Sequence, residues 1–112
     1  MTTLFDVLGM TEPDLPHTAT IAERAAEFDR LNPQVYRELR RLSFVLLERG
    51  HKRFGAKMLI EQMRWLWHER TTDVSGFKLN NTYASFYARL LMEREPQLRG
   101  VFELRASPRE RN

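Results

Sequence analysis

The chain has no cysteine, and only five glycines and five prolines among its 112 residues. Without thiols it can hold neither a disulfide framework nor a thiolate metal site, and it agrees with a reducing compartment. No apolar run approaches the roughly 20 residues needed to cross a bilayer. The N-terminus also shows no basic segment ahead of an apolar stretch, as a secretory signal would. A cytoplasmic protein with no membrane partner is therefore expected. There is no His-Glu-x-x-His pair, no glycine-rich phosphate loop and no internal repeat. His17, His51 and His68 fall in three different elements, and adjacent His68 and Glu69 diverge on a helix rather than sharing a face. The expectation is a protein that is not an enzyme, with no cofactor and no metal.

What is present suits one soluble domain: 42% hydrophobic and 29% charged residues. A chain of this size buries roughly two thirds of its unfolded surface, enough for a core without staples. The net charge is +3, but its distribution is uneven. Residues 1–31 set Arg24 and Arg30 against Asp6, Glu12, Asp14, Glu23, Glu27 and Asp29, a net of −4. The remainder carries +7. The basic excess is sharpest over 37–57, in Arg37, Arg40, Arg41, Arg49, Lys52, Arg53 and Lys57, which makes this stretch the electrostatic candidate for a polyanion.

Helix signals divide the chain. Residues 1–18 end in a Pro- and acid-containing spacer and read as an acidic arm; 19–106 read as a single helical domain, and 107–112 as a polar tail. Thr20-Ile-Ala-Glu23 is a capping box that predicts a helix over 21–31. Asn32-Pro33 both ends that helix and starts the next, which runs to Arg49 and stops at Gly50. Its expected core stripe is Val35, Leu39, Leu42 and Leu46. A third helix is predicted over 54–70, with Met58 and Trp65 on a flank. A fourth follows Asn80 or Asn81 to about Glu95, with Tyr83, Phe86, Tyr87, Leu90 and Leu91 inward. Phe77-Lys-Leu79 and the alternating Val101-Phe-Glu-Leu-Arg105 read as two short strands. The expected fold is mainly α: a four-helix compact domain with a small two-stranded β element, in the manner of a winged helix-turn-helix.

Two surfaces carry functional expectations. On the fourth helix, Thr82, Ser85 and Arg89 form an outward row preceded by Lys78. Small polar residues permit close approach to a groove, and an arginine can donate twice to guanine or to phosphate. Any amphipathic helix also has a polar outer face, so the row fits a plain solvated surface as well. With Arg37, Arg40, Arg41, Lys52, Arg53 and Lys57 on phosphates, it would serve a small DNA-binding or regulatory protein on double-stranded DNA. On the second helix, Phe44 lies among Arg40, Arg41 and Glu48. An aromatic there requires a cover: the chain's own acidic arm or first helix, or else a partner protein or a nucleic-acid backbone lying across the patch. A protein partner there describes an interaction module, such as a phage-encoded inhibitor or adaptor. A homodimer is compatible with either. One basic surface joining the fourth helix to 37–57 would favour DNA; an exposed apolar groove would favour a protein.

The segment Phe77-Lys-Leu-Asn-Asn-Thr-Tyr-Ala-Ser-Phe-Tyr-Ala-Arg89, with Glu95-Pro-Gln-Leu98 and Val101-Phe-Glu-Leu-Arg105, resembles a group of small uncharacterised proteins of bacterial and phage genomes. The likeness reaches back through Glu61 to Trp65 and Asn32-Pro33-Gln-Val-Tyr36, covering about 28–105. It implies a compact unit starting near Phe28 and a mobile-element origin, and it brings no activity with it.

Overall fold

Thr20 and Glu23 close the capping box the sequence announces: the Thr20 hydroxyl accepts from the Glu23 amide at 3.0 Å, and the Glu23 carboxylate accepts from the Thr20 amide at 3.0 Å. Helix α1, Ile21–Leu31, starts there. The computed structural model describes residues 10–70 and 79–103. Within them follow α2, Pro33–Glu48, and α3, Ala56–Arg70. A 3-10 turn at Asn81–Tyr83 leads into α4, Ala84–Arg94, and a second such turn, Pro96–Leu98, closes the order.

Asn32 joins α1 to α2 and is almost fully buried. Its backbone amide donates to Phe28 O, ending α1, and its carbonyl accepts from the Val35 amide, opening α2 behind Pro33. The side chain does not cap α2. It accepts from the Thr11 amide at 2.7 Å and donates to Thr11 O at 2.8 Å and Phe28 O at 2.9 Å, so it ties residues 10–12 to the helix junction. Met10 is thereby drawn into the core. At the other end of α2, the Gly50 amide reaches Leu47 O and the His51 amide reaches Leu46 O. Gly50 takes φ of +93° to allow this pair of bonds, a conformation that costs a glycine little.

The core runs between the helices from Phe28 of α1, Val35 and Leu39 of α2, Leu59, Ile60 and Met63 of α3, and Tyr87 and Leu91 of α4. Phe28 meets Tyr83 at 5.4 Å between ring centres, and Phe54 meets Phe102 edge-on at 5.3 Å. On α2 the stripe is rotated from the expected one: Val35, Leu39 and Ser43 are buried, whereas Leu42 and Leu46 are half-buried. Ser43 tolerates burial because its hydroxyl donates to Leu39 O at 2.8 Å. On α4, Phe86 and Leu90 likewise lie at the edge of the core, not within it.

The expected two-stranded β element is not found, and with it the winged helix-turn-helix arrangement falls: the described residues contain no strand. Phe77 and Lys78 of the first expected strand, and Leu104 and Arg105 of the second, lie outside the described residues. Val101 and Phe102 do not alternate; both are buried. Gly100, with φ of +78°, turns the chain back so that the Val101 amide donates to Leu98 O. The only link made across to another segment by this backbone is Phe54 N–H to Val101 O, at 3.3 Å among the described residues. One bond anchors a turn but does not make a ladder.

Truncating a fully buried leucine removes its contacts and leaves a cavity. Leu39→Ala and Leu91→Ala should each cost about 2–5 kcal/mol in denaturant unfolding, with Leu90→Ala costing less. Asn32→Ala leaves both backbone groups of Thr11 without their partner. A loss of about 1–3 kcal/mol is expected, with faster amide exchange at Thr11 as its local signature.

Candidate interaction surface

Asn80 takes the amide of Thr82 on its side-chain oxygen at 2.9 Å, which fixes the start of the 3-10 turn and points α4 across the domain. Thr82, Ser85 and Arg89 are all exposed along this element, as their spacing predicts. They line a groove of about 320 Å³ together with Phe86, Leu90 and Glu93 of α4. The opposite wall is Ile21 and Ala22, the first residues of α1. Ile21 is 56% exposed, an unusual position for an isoleucine beside two half-buried apolar side chains. Ile21, Ala22, Phe86, Leu90 and Glu93 were not singled out by the sequence as site residues. Phe86 and Leu90 match the core period too well, and the approach of α1 is a long-range contact.

Ser85 also borders a second depression, of about 310 Å³, on the other flank of α4. Its walls include Gly55, Ala56 and Lys57 at the start of α3, and Glu103. Arg53 pairs with Glu103 at 3.1 Å beside it. Lys57 and Arg53 thus approach the α4 row from one side, while the other side is the Ile21 wall.

Arg40 does not join them. Arg40 pairs with Glu95 at 3.0 Å, at the opposite end of α4 from Thr82, and its guanidinium lies 4.7 Å over the Phe44 ring. Phe44 itself is half-buried against the core, so its cover is Arg40 rather than an exposed docking patch. The described part of the arm is bonded elsewhere: Thr11 at Asn32, and Pro16 O to Arg24 at 2.7 Å. Arg41 is held by Glu38 one turn back. Arg37 and Lys52 are exposed on their own and form no ion pair with another described residue. Lys78 lies outside the described residues. The structure therefore unites Thr82, Ser85, Arg89, Lys57 and Arg53, and separates them from Arg40 and Phe44.

Among the described residues no group of His, Asp and Glu could hold a metal ion, and no helix is long and apolar enough to cross a membrane. A second exposed apolar pair, Met58 at 50% and Trp65 at 63%, lies two turns apart on the outer face of α3. Between α1 and α4, Asp29 Oδ1 and Tyr87 Oη are buried without a hydrogen-bond partner among the described residues. Burial pushes the Asp29 carboxyl above its ordinary range, and Arg94 pulls only partly against this. Burial, with Asp29 and Tyr83 nearby, drives the Tyr87 phenol far up, so it stays neutral. No family model, curated protein or solved structure matches this chain.

Because the folded Asp29 holds its proton more tightly than the unfolded chain does, its ionisation destabilises the fold. The penalty is absent in acid, develops as pH rises past the ordinary carboxylate range, and is complete once pH exceeds the raised folded value. Asp29→Asn should therefore raise the thermal midpoint at pH 7, with the advantage shrinking towards pH 3. A variant equal to or less stable than the parent at pH 7 would show that the Arg94 attraction outweighs burial.

Proposed function

We propose that this chain is a helical protein-interaction module, of the adaptor or inhibitor kind, that holds a partner protein along the α1–α4 groove. The observation that carries this reading is the groove itself: Ile21, Phe86 and Leu90 give the α4 row an apolar centre, where a DNA-reading helix would need only polar approach. Apolar anchors in a depression supply most of the energy of protein association, and a polar rim supplies orientation. The split among the cations points the same way, since Arg40, Arg41 and Arg53 are each neutralised by a carboxylate of this chain. In this reading the protein acts by binding rather than catalysis, without cofactor, in the cytoplasm. The resemblance to phage-encoded proteins fits a role in a mobile element.

Double-stranded DNA remains a second reading, supported by Lys57 beside Ser85 and by Lys52 and Arg53 in the same connection. The two separate in one set of measurements. A photo-crosslinking residue placed at Phe86, in the native host, should yield one discrete protein adduct, which Leu90→Glu reduces by about 100-fold in affinity. Duplex DNA binding should be absent at about 50 mM salt. Duplex binding whose log-log salt slope flattens by about one unit in Lys57→Ala, and which ignores Leu90→Glu, would transfer the assignment to DNA.

A further inference from the structure

Helix α1 is held unevenly along its length. At its C-terminal end Phe28 is fully buried against Tyr83, and Asn32 bonds through its side chain to Thr11 and Phe28. Toward the other end the buried contact shrinks to Ala25, and Ile21 and Ala22 are exposed where they wall the groove. The capping box and the bond from Arg24 to Pro16 O both lie within residues 16–24, so they stiffen the first turns without tying them to α4. A helix anchored at one end rocks about that anchor. Asp29 lies three residues from Asn32 and Ile21 lies eleven, which is roughly 4.5 and 16 Å along the axis. An opening of about 1 Å at Asp29 therefore becomes about 3–4 Å at Ile21.

Asp29 is the titratable group beside this anchor. Its Oδ1 and the Tyr87 Oη of α4 are both buried at the α1–α4 boundary without a hydrogen-bond partner among the described residues. A neutral carboxyl tolerates such a place far better than a carboxylate does, because the charged form loses the larger hydration energy there. Few charged groups face it. Arg94 of α4 attracts the carboxylate, but its guanidinium also lies 4.8 Å over the Tyr36 ring of α2, with the Arg40–Glu95 ion pair nearby. Tyr83 stands near Tyr87, with Arg24 and Glu12 close to it, and on α1 itself Arg30 is engaged with Glu27. Burial holds the Tyr36, Tyr83 and Tyr87 phenols above their ordinary range, so all three keep their protons while Asp29 titrates. The ionised carboxylate gains water at Oδ1 when α1 lifts from α4 at this point.

We propose that Asp29 makes α1 a proton-controlled lever: protonated, it lets α1 seat on α4 and narrows the groove; ionised, it rocks α1 about Asn32 and widens it. Asn32 sets the resting angle of the helix, and Asp29 sets the excursion from it. The lever belongs to the groove's own geometry and acts whichever ligand the groove takes. A ligand that needs the narrow groove takes up a proton on binding, and one that needs the wide groove releases it.

Because the chain has no cysteine, two spin labels can report the groove width, one at Ala22→Cys and one at Glu93→Cys, exposed positions on opposite walls. The distance between the labels should be single and short at pH 4 and gain a component about 3–4 Å longer at pH 7. With Asp29→Asn added, the short distance should persist at both pH values. In the unlabelled chain, the NMR methyl signals of Ile21 and Leu90 should titrate with the midpoint of the Asp29 carboxyl carbon. The methyl of Met58, on the outer face of α3, should not follow that midpoint. A distance that ignores pH would mean that Asp29 turns its own side chain to water, and it overturns the inference; so does a pH response that survives Asp29→Asn. Should the labelled variants fail to fold, the methyl titration decides alone, and Ile21 and Leu90 signals that do not share the Asp29 midpoint refute the lever.

Discussion

Asn32 is the residue on which the geometry of the domain turns. A side-chain amide has two donors and one strong acceptor, and burying it without partners would cost several kcal/mol. Here each group is used: the oxygen takes the Thr11 amide, and the nitrogen reaches Thr11 O and Phe28 O. The same residue's backbone ends α1 and starts α2. One position therefore fixes the angle between two helices and attaches the segment before them. With α1 held in this way, its first turn is carried to the flank of α4, where Ile21 and Ala22 become a wall. The α1–α4 groove is in this sense a consequence of a buried polar contact on the far end of α1.

The helices were legible because their signals are local. Thr20 and Glu23, Asn32-Pro33, Gly50 and Pro96 each act within one turn of backbone, and each marks a boundary in the structure to within a residue or two. What the local pattern could not settle was rotation about the helix axis. On α2 the sequence offers two overlapping apolar stripes, one through Leu42 and Leu46 and one through Leu39 and Ser43. Hydrophobicity favours the first, but a serine that back-bonds to Leu39 O has its polar group satisfied, which makes the second affordable. The strand expected at Val101–Arg105 failed for a related reason. Its described part is three residues long, Val101 to Glu103, and Gly100 in front of it supplies a turn that buries the first two.

The outward row Thr82, Ser85 and Arg89 was also legible, since helical spacing alone places those residues together. Its meaning was not. Read along the chain, the row is a polar helix face with basic residues elsewhere to assist it. In three dimensions it is the ridge between two unlike flanks, one apolar at its centre and one bearing Lys57 and the Arg53–Glu103 pair. Phe44 shows the converse. An aromatic among arginines called for a cover from elsewhere in the chain or from a partner, yet the arginine one turn before it is itself that cover, with Glu95 holding the guanidinium in place.

This asymmetry is what separates a protein ligand from a polyanion. A helix seated in the major groove has phosphates on both sides, and productive docking needs positive or neutral groups on both flanks. Here Lys57 and Arg53 could face one strand, but the other would meet the apolar side chains of Ile21, Phe86 and Leu90. A protein ligand has no such symmetry requirement. It can place apolar side chains between Phe86, Leu90 and Ile21 and leave Lys57 in solvent. The net positive charge of the whole chain does not bear on this choice, because screening confines each rim charge to its own neighbourhood, about one Debye length of 8–10 Å at ordinary ionic strength. On the flank of α4 away from Lys57 the lining is apolar at its centre, with Arg89 and Glu93 one turn apart at its rim, and such a lining suits apolar side chains better than phosphates.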